Sequence, residues 1–460
     1  MKKIFIKEKC QNIHFIGIGG INMSALAEFL YKSGYNITGS DQAKSTQVEY
    51  LQSIGIKIAI GHNKENIDIK TNLVIYNAAV TNDNIELKTA IINNIDIMDR
   101  GKLLGLIMKN YNFPMCISGS HGKTTTTSMI SQIFLDAKTS PTIMNGGILD
   151  SIGGSLYIGS GEHFIAEACE YHDSFLDFFP YIGIILNIDM DHADYFKDMD
   201  ALRSSFKKFA NLIPKNGTLI INKNIEKLDD ILDNIKCNVI LVDSEEGYHA
   251  KNIIYNIDGC ASFDIYHKQK FACSIRLNVP GSHNIQNSLA AASAADILGI
   301  DLKDISHGLF KFAGANRRFQ RKGVYNGAVI VDDYAHHPTE VETTLVSAKR
   351  MDYSKVWVVF QPHTQNRTKS FLNEFAKSLS IADEILLLDI YNPAGRDDGL
   401  SITTNDLFTS IKNIGKNCYY ESSFENAIGF LKNNIGKNHL VITMGAGDVY
   451  AVGEGLLAEL

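Results

Sequence analysis

Eight consecutive residues in the first third of the chain have the composition of a phosphate-binding loop: Ser118-Gly119-Ser120-His121-Gly122-Lys123-Thr124-Thr125. An apolar run at 115–117 precedes them, and a helical apolar pattern (Met129, Ile130, Ile133, Phe134) follows. Between a strand and a helix, the amides of such a turn cradle phosphates, a lysine such as Lys123 neutralises the transferring group, and a hydroxyl such as that of Thr124 can hold magnesium. The longer GxxxxGK[ST] spacing would need glycine at 117, where the chain has Ile117, so this loop is a shorter variant.

Phosphoryl transfer also needs magnesium, which takes oxygen ligands and few of them from protein. Glu167 and Glu170 follow an apolar run at 164–166, and Asn187, Asp189, Asp191 and His192 end another at 182–188. Ligands gather at the carboxyl ends of parallel strands, so both clusters are expected at one shared site. His192 has a competing reading as a structural histidine. Further on, residues 279–287, which include Asn284, precede an Ala-rich helical segment at 288–298. Arg317 and Arg318 sit side by side near a hinge. Two planar forks there suit a clamp on ATP phosphates, or are simply two exposed arginines beside a linker. Asp332-Asp333-Tyr334-Ala335-His336-His337-Pro338 ends one strand pattern, and Gln361-Pro362-His363 with Arg367 ends another. The histidine pair invites a zinc reading, but no cysteine lies nearby and the spacing of a zinc site is missing. Substrate contact suits it better.

A second glycine turn, Gly17-Ile18-Gly19-Gly20, follows the apolar run 12–18 and opens a helix. Such turns bring backbone N–H groups to a pyrophosphate. The dinucleotide fingerprint needs glycine at 22, where the chain has Asn22. A single-nucleotide ligand needs less of that pattern. Asp41 comes where an acidic residue would reach a ribose hydroxyl.

These residues must be carried by strands, and the strand patterns recur at 37–39, 73–76, 115–117, 182–188, 218–221, 239–242, 328–331, 356–360, 384–389 and 439–444. Helical patterns lie between most of them, which predicts an α/β fold of parallel sheets covered on both faces. A length of 460 residues predicts several domains. Polar breaks at 109–114 and 314–318 suggest three, at 1–110, 111–315 and 316–460. The net charge of −7, without a Lys/Arg block, argues against nucleic acid as a partner. Seven widely spaced cysteines fit a reducing compartment rather than a disulfide framework. No apolar run reaches the ~20 residues of a membrane span and the N-terminus lacks a signal-peptide core, so a cytoplasmic protein is expected. Nothing in the spacing specifies an oligomeric state.

Taken in order, HFIGIGG (14–20), SGSHGKTTTTSMI (118–130), NIDMDH (187–192), PGSHNIQNSLAA (280–291), RRF (317–319), DDYAHHPTE (332–340), QPHTQNRT (361–368) and MGAGDVY (444–450) resemble the Mur ligase family over nearly the whole chain. The resemblance implies a Rossmann-like N-terminal domain, a central P-loop-type ATPase domain and a C-terminal Rossmann-like domain. It also implies ATP and Mg2+ as cofactors. HFIGIGG with DDYAHHPTE points to the branch that joins L-alanine to the carboxylate of UDP-N-acetylmuramate through an acyl phosphate, in peptidoglycan precursor synthesis. By the same resemblance, Gly17, Gly19, Gly20, Asp41 and His62 would hold the UDP-sugar. Gly119, Ser120, His121, Gly122, Lys123, Thr124, Thr125, Asn284, Arg318 and Asp333 would bind ATP. Thr124, Glu167 and His192 would ligate magnesium, with Lys123, Glu167, His192 and His336 serving catalysis. Tyr334, His336 and Arg367 would meet the amino acid. The chain departs from the family at Asn22, Ala25, Asn77, Ile85, Lys102, Thr364, Gln365 and Gly395-Arg396. Three other readings compete: a recycling ligase that attaches a ready-made peptide, an NAD-linked oxidoreductase, and a UDP-sugar sensor without turnover.

Overall fold

In the computed structural model, residues 6, 10–77, 79–192, 195–392 and 401–458 are described. Gly395 and Arg396 lie outside them. Three sheets follow one another along the chain. The first is wholly parallel, in the spatial order Lys57–Ile60, Asn36–Asp41, Asn12–Ile16, Leu73–Tyr76, Asp96–Asp99. The central strand is almost fully buried, as an apolar run with helices on both sides must be.

The second sheet has ten strands. Its middle is parallel: Asn238–Val242, Thr218–Asn222, Ile182–Ile185, Phe113–Ser118, His163–Glu167 and Thr142–Leu149. Helices Lys123–Asp136 and His283–Ile297 cover one face, packing through Met129, Ile130, Ile133, Leu289 and Ala290. The third sheet runs Gln320–Tyr325, Ala328–Asp333, His439–Met444, Lys355–Phe360, Glu384–Leu387, Cys418–Tyr420. All its pairs are parallel except the first.

The α/β expectation holds, with corrections. Tyr248–Tyr255, Cys260–His267 and Lys270–Pro280 form an antiparallel meander at one edge of the second sheet, where only parallel strands were expected. Buried and less buried residues alternate along Cys260–His267, the mark of a strand covered on one face only. The expected strand at 182–188 ends at Ile185. Leu186 and Ile188 stay buried but leave the ladder, and Ser120 donates its N–H to the Asn187 carbonyl at 3.2 Å. The strand expected at 12–18 stops at Ile16 because Gly17 turns to φ +74°.

Candidate active site

The phosphate loop is positioned by strand Phe113–Ser118 and helix Lys123–Asp136. Gly122 caps that helix at φ +83°, a left-handed conformation that glycine adopts without strain. A Cβ there would lie 2.7 Å from the Asn287 amide oxygen, so the loop must be bare at this point. The Asn187 side chain clamps the next turn by accepting from His121 N at 2.8 Å and donating to His121 O at 3.1 Å.

Lys123 lies at the first turn of the helix and reaches back over the loop. Its ammonium sits 3.0 Å from Glu170 Oε2, a carboxylate buried to 1% exposure. Burial alone would lower the lysine's pKa, but Glu170 outweighs it and raises it, which favours the ammonium.

Glu167 is a buried carboxyl of a different kind. Burial pushes its pKa up, while the Gly146 N–H at 2.6 Å and the Thr124 hydroxyl oppose that shift. A Cβ on Gly146 would lie 2.6 Å from both Glu167 oxygens, so glycine is what lets the backbone amide approach. Thr124 and Glu167 thus form an oxygen pair at the loop. His192, expected with them, contacts Glu170 instead, its Nε2 3.7 Å from Glu170 Oε1 and its ring stacked on Tyr171 at 4.5 Å. Burial lowers its pKa, which favours the neutral imidazole.

Two of the cavities between the second and third sheets gather the expected site residues. One of about 270 Å³ takes in His121, Thr125, Asn284, Arg318, Asp333 and Glu340. It therefore unites the phosphate loop with three later residues expected to bind ATP. Burial pushes the Asp333 carboxyl up to about 6, against the Arg318 charge and the N–H groups of Ala335 and Phe319 that bond it at 2.8 Å. His283, not singled out from the sequence, also lines this cavity, and burial brings its pKa down to about 4.

The second cavity, about 200 Å³, takes in His192, Tyr334, His336, His363, Arg367 and Phe371. Arg367 donates to Asp191 Oδ1 at 2.8 Å and to His363 Nδ1 at 3.3 Å. Asp191 is nearly buried. Burial raises its pKa, but the Arg367 guanidinium and neighbouring histidines bring it well below the carboxylate range. His336 is held by its Nδ1, 2.9 Å from the Tyr334 carbonyl, and burial pushes its pKa down to about 4 despite Glu340 nearby. At neutral pH it is an uncharged imidazole.

Of the arginine pair, only Arg318 faces the larger cavity. Arg317, at φ +58°, turns the other way and binds Asp332 at 2.9 Å and the Gly445 carbonyl at 2.7 Å. The expectation of a two-arginine clamp is corrected accordingly, because Arg317 is committed inside the third sheet.

The N-terminal glycine turn stands apart from these cavities. Gly17 and Ile18 donate their N–H groups to the Ser40 carbonyl at 2.9 and 3.0 Å, and Gly19 donates to Asp41 Oδ2 at 2.8 Å. His62 Nδ1 lies 3.1 Å from Ser40 Oγ and 3.4 Å from Glu86 Oε2. Glu86 has 0% exposure and also accepts from Ser40 Oγ and Asn66, each at 2.5 Å. Burial pushes its carboxyl up, but bonds from His14, Ser40 and Asn66 win and bring it to about 2. Glu86 was missed from the sequence. Its place behind Asn84, the cap of helix Ile85–Ile92, reads as an ordinary first-turn acid.

Comparison with known proteins agrees with this arrangement. Residues 12–112 match the model described as "Mur ligase family, catalytic domain", 117–295 match "Mur ligase middle domain", and 317–447 match "Mur ligase, glutamate ligase domain". The UDP-N-acetylmuramate–L-alanine ligase of Caldanaerobacter subterraneus subsp. tengcongensis is 44% identical over 98% of each chain. That of Clostridium beijerinckii is 46% identical over 98% of this chain and 99% of its own. Among solved structures, the UDP-N-acetylmuramate–alanine ligase of Thermotoga maritima superposes with a TM-score of 0.83 at 28% identity, over 97% of this chain and 98% of its own. With three successive family segments, full-length relatives at this identity and a phosphate loop that opens onto the third sheet, the chain belongs to the Mur ligase family.

Proposed function

We propose that this protein uses ATP to join L-alanine to the carboxylate of UDP-N-acetylmuramate, a step of peptidoglycan precursor synthesis. The observation that carries the reading is the pairing of the two cavities. A phosphate loop faces one, and a small polar pocket that holds the Arg367–Asp191 pair lies beside it, an arrangement that suits an amide-forming ligase with a small amino acid. The relatives just described are named for this reaction. The proposed division of labour is residues 1–110 for the UDP-sugar, 111–315 for ATP and 316–460 for the amino acid. No described helix is long and apolar enough to cross a membrane, and the proposed place of the reaction is the cytoplasm.

A carboxylate is a poor acyl donor. Transfer of the ATP γ-phosphate to it makes an acyl phosphate, and the neutral amine of alanine then attacks that carbonyl. A tetrahedral intermediate forms, and phosphate leaves. Lys123 and the amides of Gly119–Thr125 stabilise the charge that moves during phosphoryl transfer. Arg318, Asn284 and Asp333 hold the remainder of ATP. The Arg367 guanidinium suits the alanine carboxylate, with Asp191 holding the fork in place. His336, which lines the amino-acid pocket, is the proposed acceptor of the proton released from the amine. His192 is the alternative acceptor. Gly17, Gly19, Gly20, Asp41 and His62 line the turn proposed to receive the UDP-sugar.

The donor set fits magnesium. Thr124 and Glu167 offer an oxygen pair beside Gly146 with no basic side chain bonded to it, the sparse set this ion takes when phosphates complete its shell. His192, the third expected ligand, contacts Glu170 instead, at 3.7 Å. When bound, the ion would neutralise phosphate oxygens. An assay with UDP-N-acetylmuramate, ATP and magnesium tests the reading. Replacing L-alanine with a tripeptide tests the recycling alternative in the same experiment.

A further inference from the structure

The Glu340 carboxylate has one oxygen in each half of the site. Oε1 lies 3.2 Å from His121 Nδ1, on the phosphate loop of the middle sheet. Oε2 accepts the His336 N–H at 3.0 Å and lies 3.3 Å from His336 Nδ1, in the amino-acid pocket. His121 and Glu340 both line the larger cavity, whereas His336 lines the smaller. His121 is itself braced on its far side, with Nε2 3.2 Å from Asp189 Oδ2 and its ring 4.9 Å from that of His337. His337 closes the frame. Its Nδ1 accepts Thr339 N–H at 3.3 Å, so Nε2 carries the proton and donates to the Met190 carbonyl at 3.0 Å. The Oε1 contact with His121 is not needed merely to start helix Pro338–Lys349, because the Oε2 bonds to the His336 and His337 amides already do that.

We infer that Glu340 is a positioning residue that couples the two pockets, so that ATP held on the phosphate loop orders His336 for the amino acid and the amino acid tightens ATP in return. This rests on the ligase reading. The charges facing His121 are Asp189 from the middle sheet and Glu340 from the C-terminal domain, both acidic, which keeps the imidazolium and therefore the bridge intact at neutral pH. A ligand that moves the loop moves His121. Glu340 transmits that movement to the His336 backbone over two hydrogen bonds. Linkage makes the effect reciprocal, and coupling of this kind amounts to about 5- to 150-fold in affinity.

The test measures binding of a non-hydrolysable ATP analogue to the full chain, with saturating UDP-N-acetylmuramate and magnesium, with and without L-alanine. Wild type should bind the analogue at least about fivefold more tightly when alanine is present. In Glu340→Gln, which keeps an oxygen for the helix amides, each ligand should still bind but the ratio should fall to about 1, as expected for a removed coupling. His121→Gln should lose the ratio in the same way, and the double variant should be no worse than either single one. A ratio retained in both single variants, or absent from wild type that binds both ligands, overturns the coupling. Wild type that binds neither ligand overturns the ligase reading, and the coupling with it.

Discussion

The Lys123 ammonium and the Glu170 carboxylate lie 3.0 Å apart, in a site where Glu170 is almost fully buried. Without nucleotide, the lysine expected to meet the transferring phosphate is neutralised by a carboxylate of the same site. A bound phosphate must share or displace that partner. Lys123→Ala should therefore lower kcat by at least about 100-fold, the scale on which preorganised charge is lost. It should also cost about 3–5 kcal/mol of stability, because Glu170 is left charged and buried. Lys123→Met with Glu170→Gln should restore the melting temperature but not turnover. Near-normal turnover in Lys123→Ala contradicts the role given to Lys123.

The Arg367–Asp191 pair predicts a selective defect. Arg367→Ala should raise KM for alanine at least about tenfold, the loss of a charge-assisted fork, and leave KM for ATP within about twofold. Steady-state kinetics with each substrate varied in turn decides this. An equal rise in both constants would show that Arg367 supports the domain contact rather than the amino acid.

His121 makes a pH prediction. Burial lowers its pKa, but bonds to Asp189 and Glu340 win and raise it to about 9, above the free value of 6.5. A raised cationic group contributes stability that is fully present below pH 6.5 and is lost as pH rises through about 9. The melting temperature of wild type should therefore decline over that window more steeply than that of His121→Gln. Parallel curves would contradict the ion pairs.

Glu86 gives the opposite sign. Its carboxyl is held at about 2, below the ordinary 4.5, so its contribution is present above pH 4.5 and is lost as pH falls through about 2. Glu86→Gln should flatten the acid side of the stability curve. It should also raise KM for the UDP-sugar, because Ser40 and His62 lose their anchor, while KM for ATP stays within about twofold, as expected for independent sites. A change in KM for ATP alone would separate Glu86 from the UDP-sugar turn.

The phosphate loop was legible in the sequence because its chemistry is local: glycines, lysine and hydroxyls within eight residues, between an apolar strand and an apolar helix. Arg317 and Arg318 show where that locality fails. Their types are identical, yet Arg317, at positive φ, bonds Asp332 and the Gly445 carbonyl while Arg318 faces the cavity. Glu340 was hidden for another reason. The string around it explains a helix cap completely, while its bond to His121 joins residues 219 positions apart. Glu86 was invisible because its partners, Ser40 and Asn66, come from separate elements. The meander at 248–280 was missed because its pairing is antiparallel and broken by register shifts, neither of which the local pattern of a single strand reveals.

The most direct test is phosphate release from ATP with magnesium and UDP-N-acetylmuramate, supplied with L-alanine, glycine, L-serine, a tripeptide or buffer alone. Release that requires both the sugar nucleotide and L-alanine, with a product heavier by one alanine residue, is the predicted result. Release that ignores L-alanine, or that follows the tripeptide instead, would contradict the account.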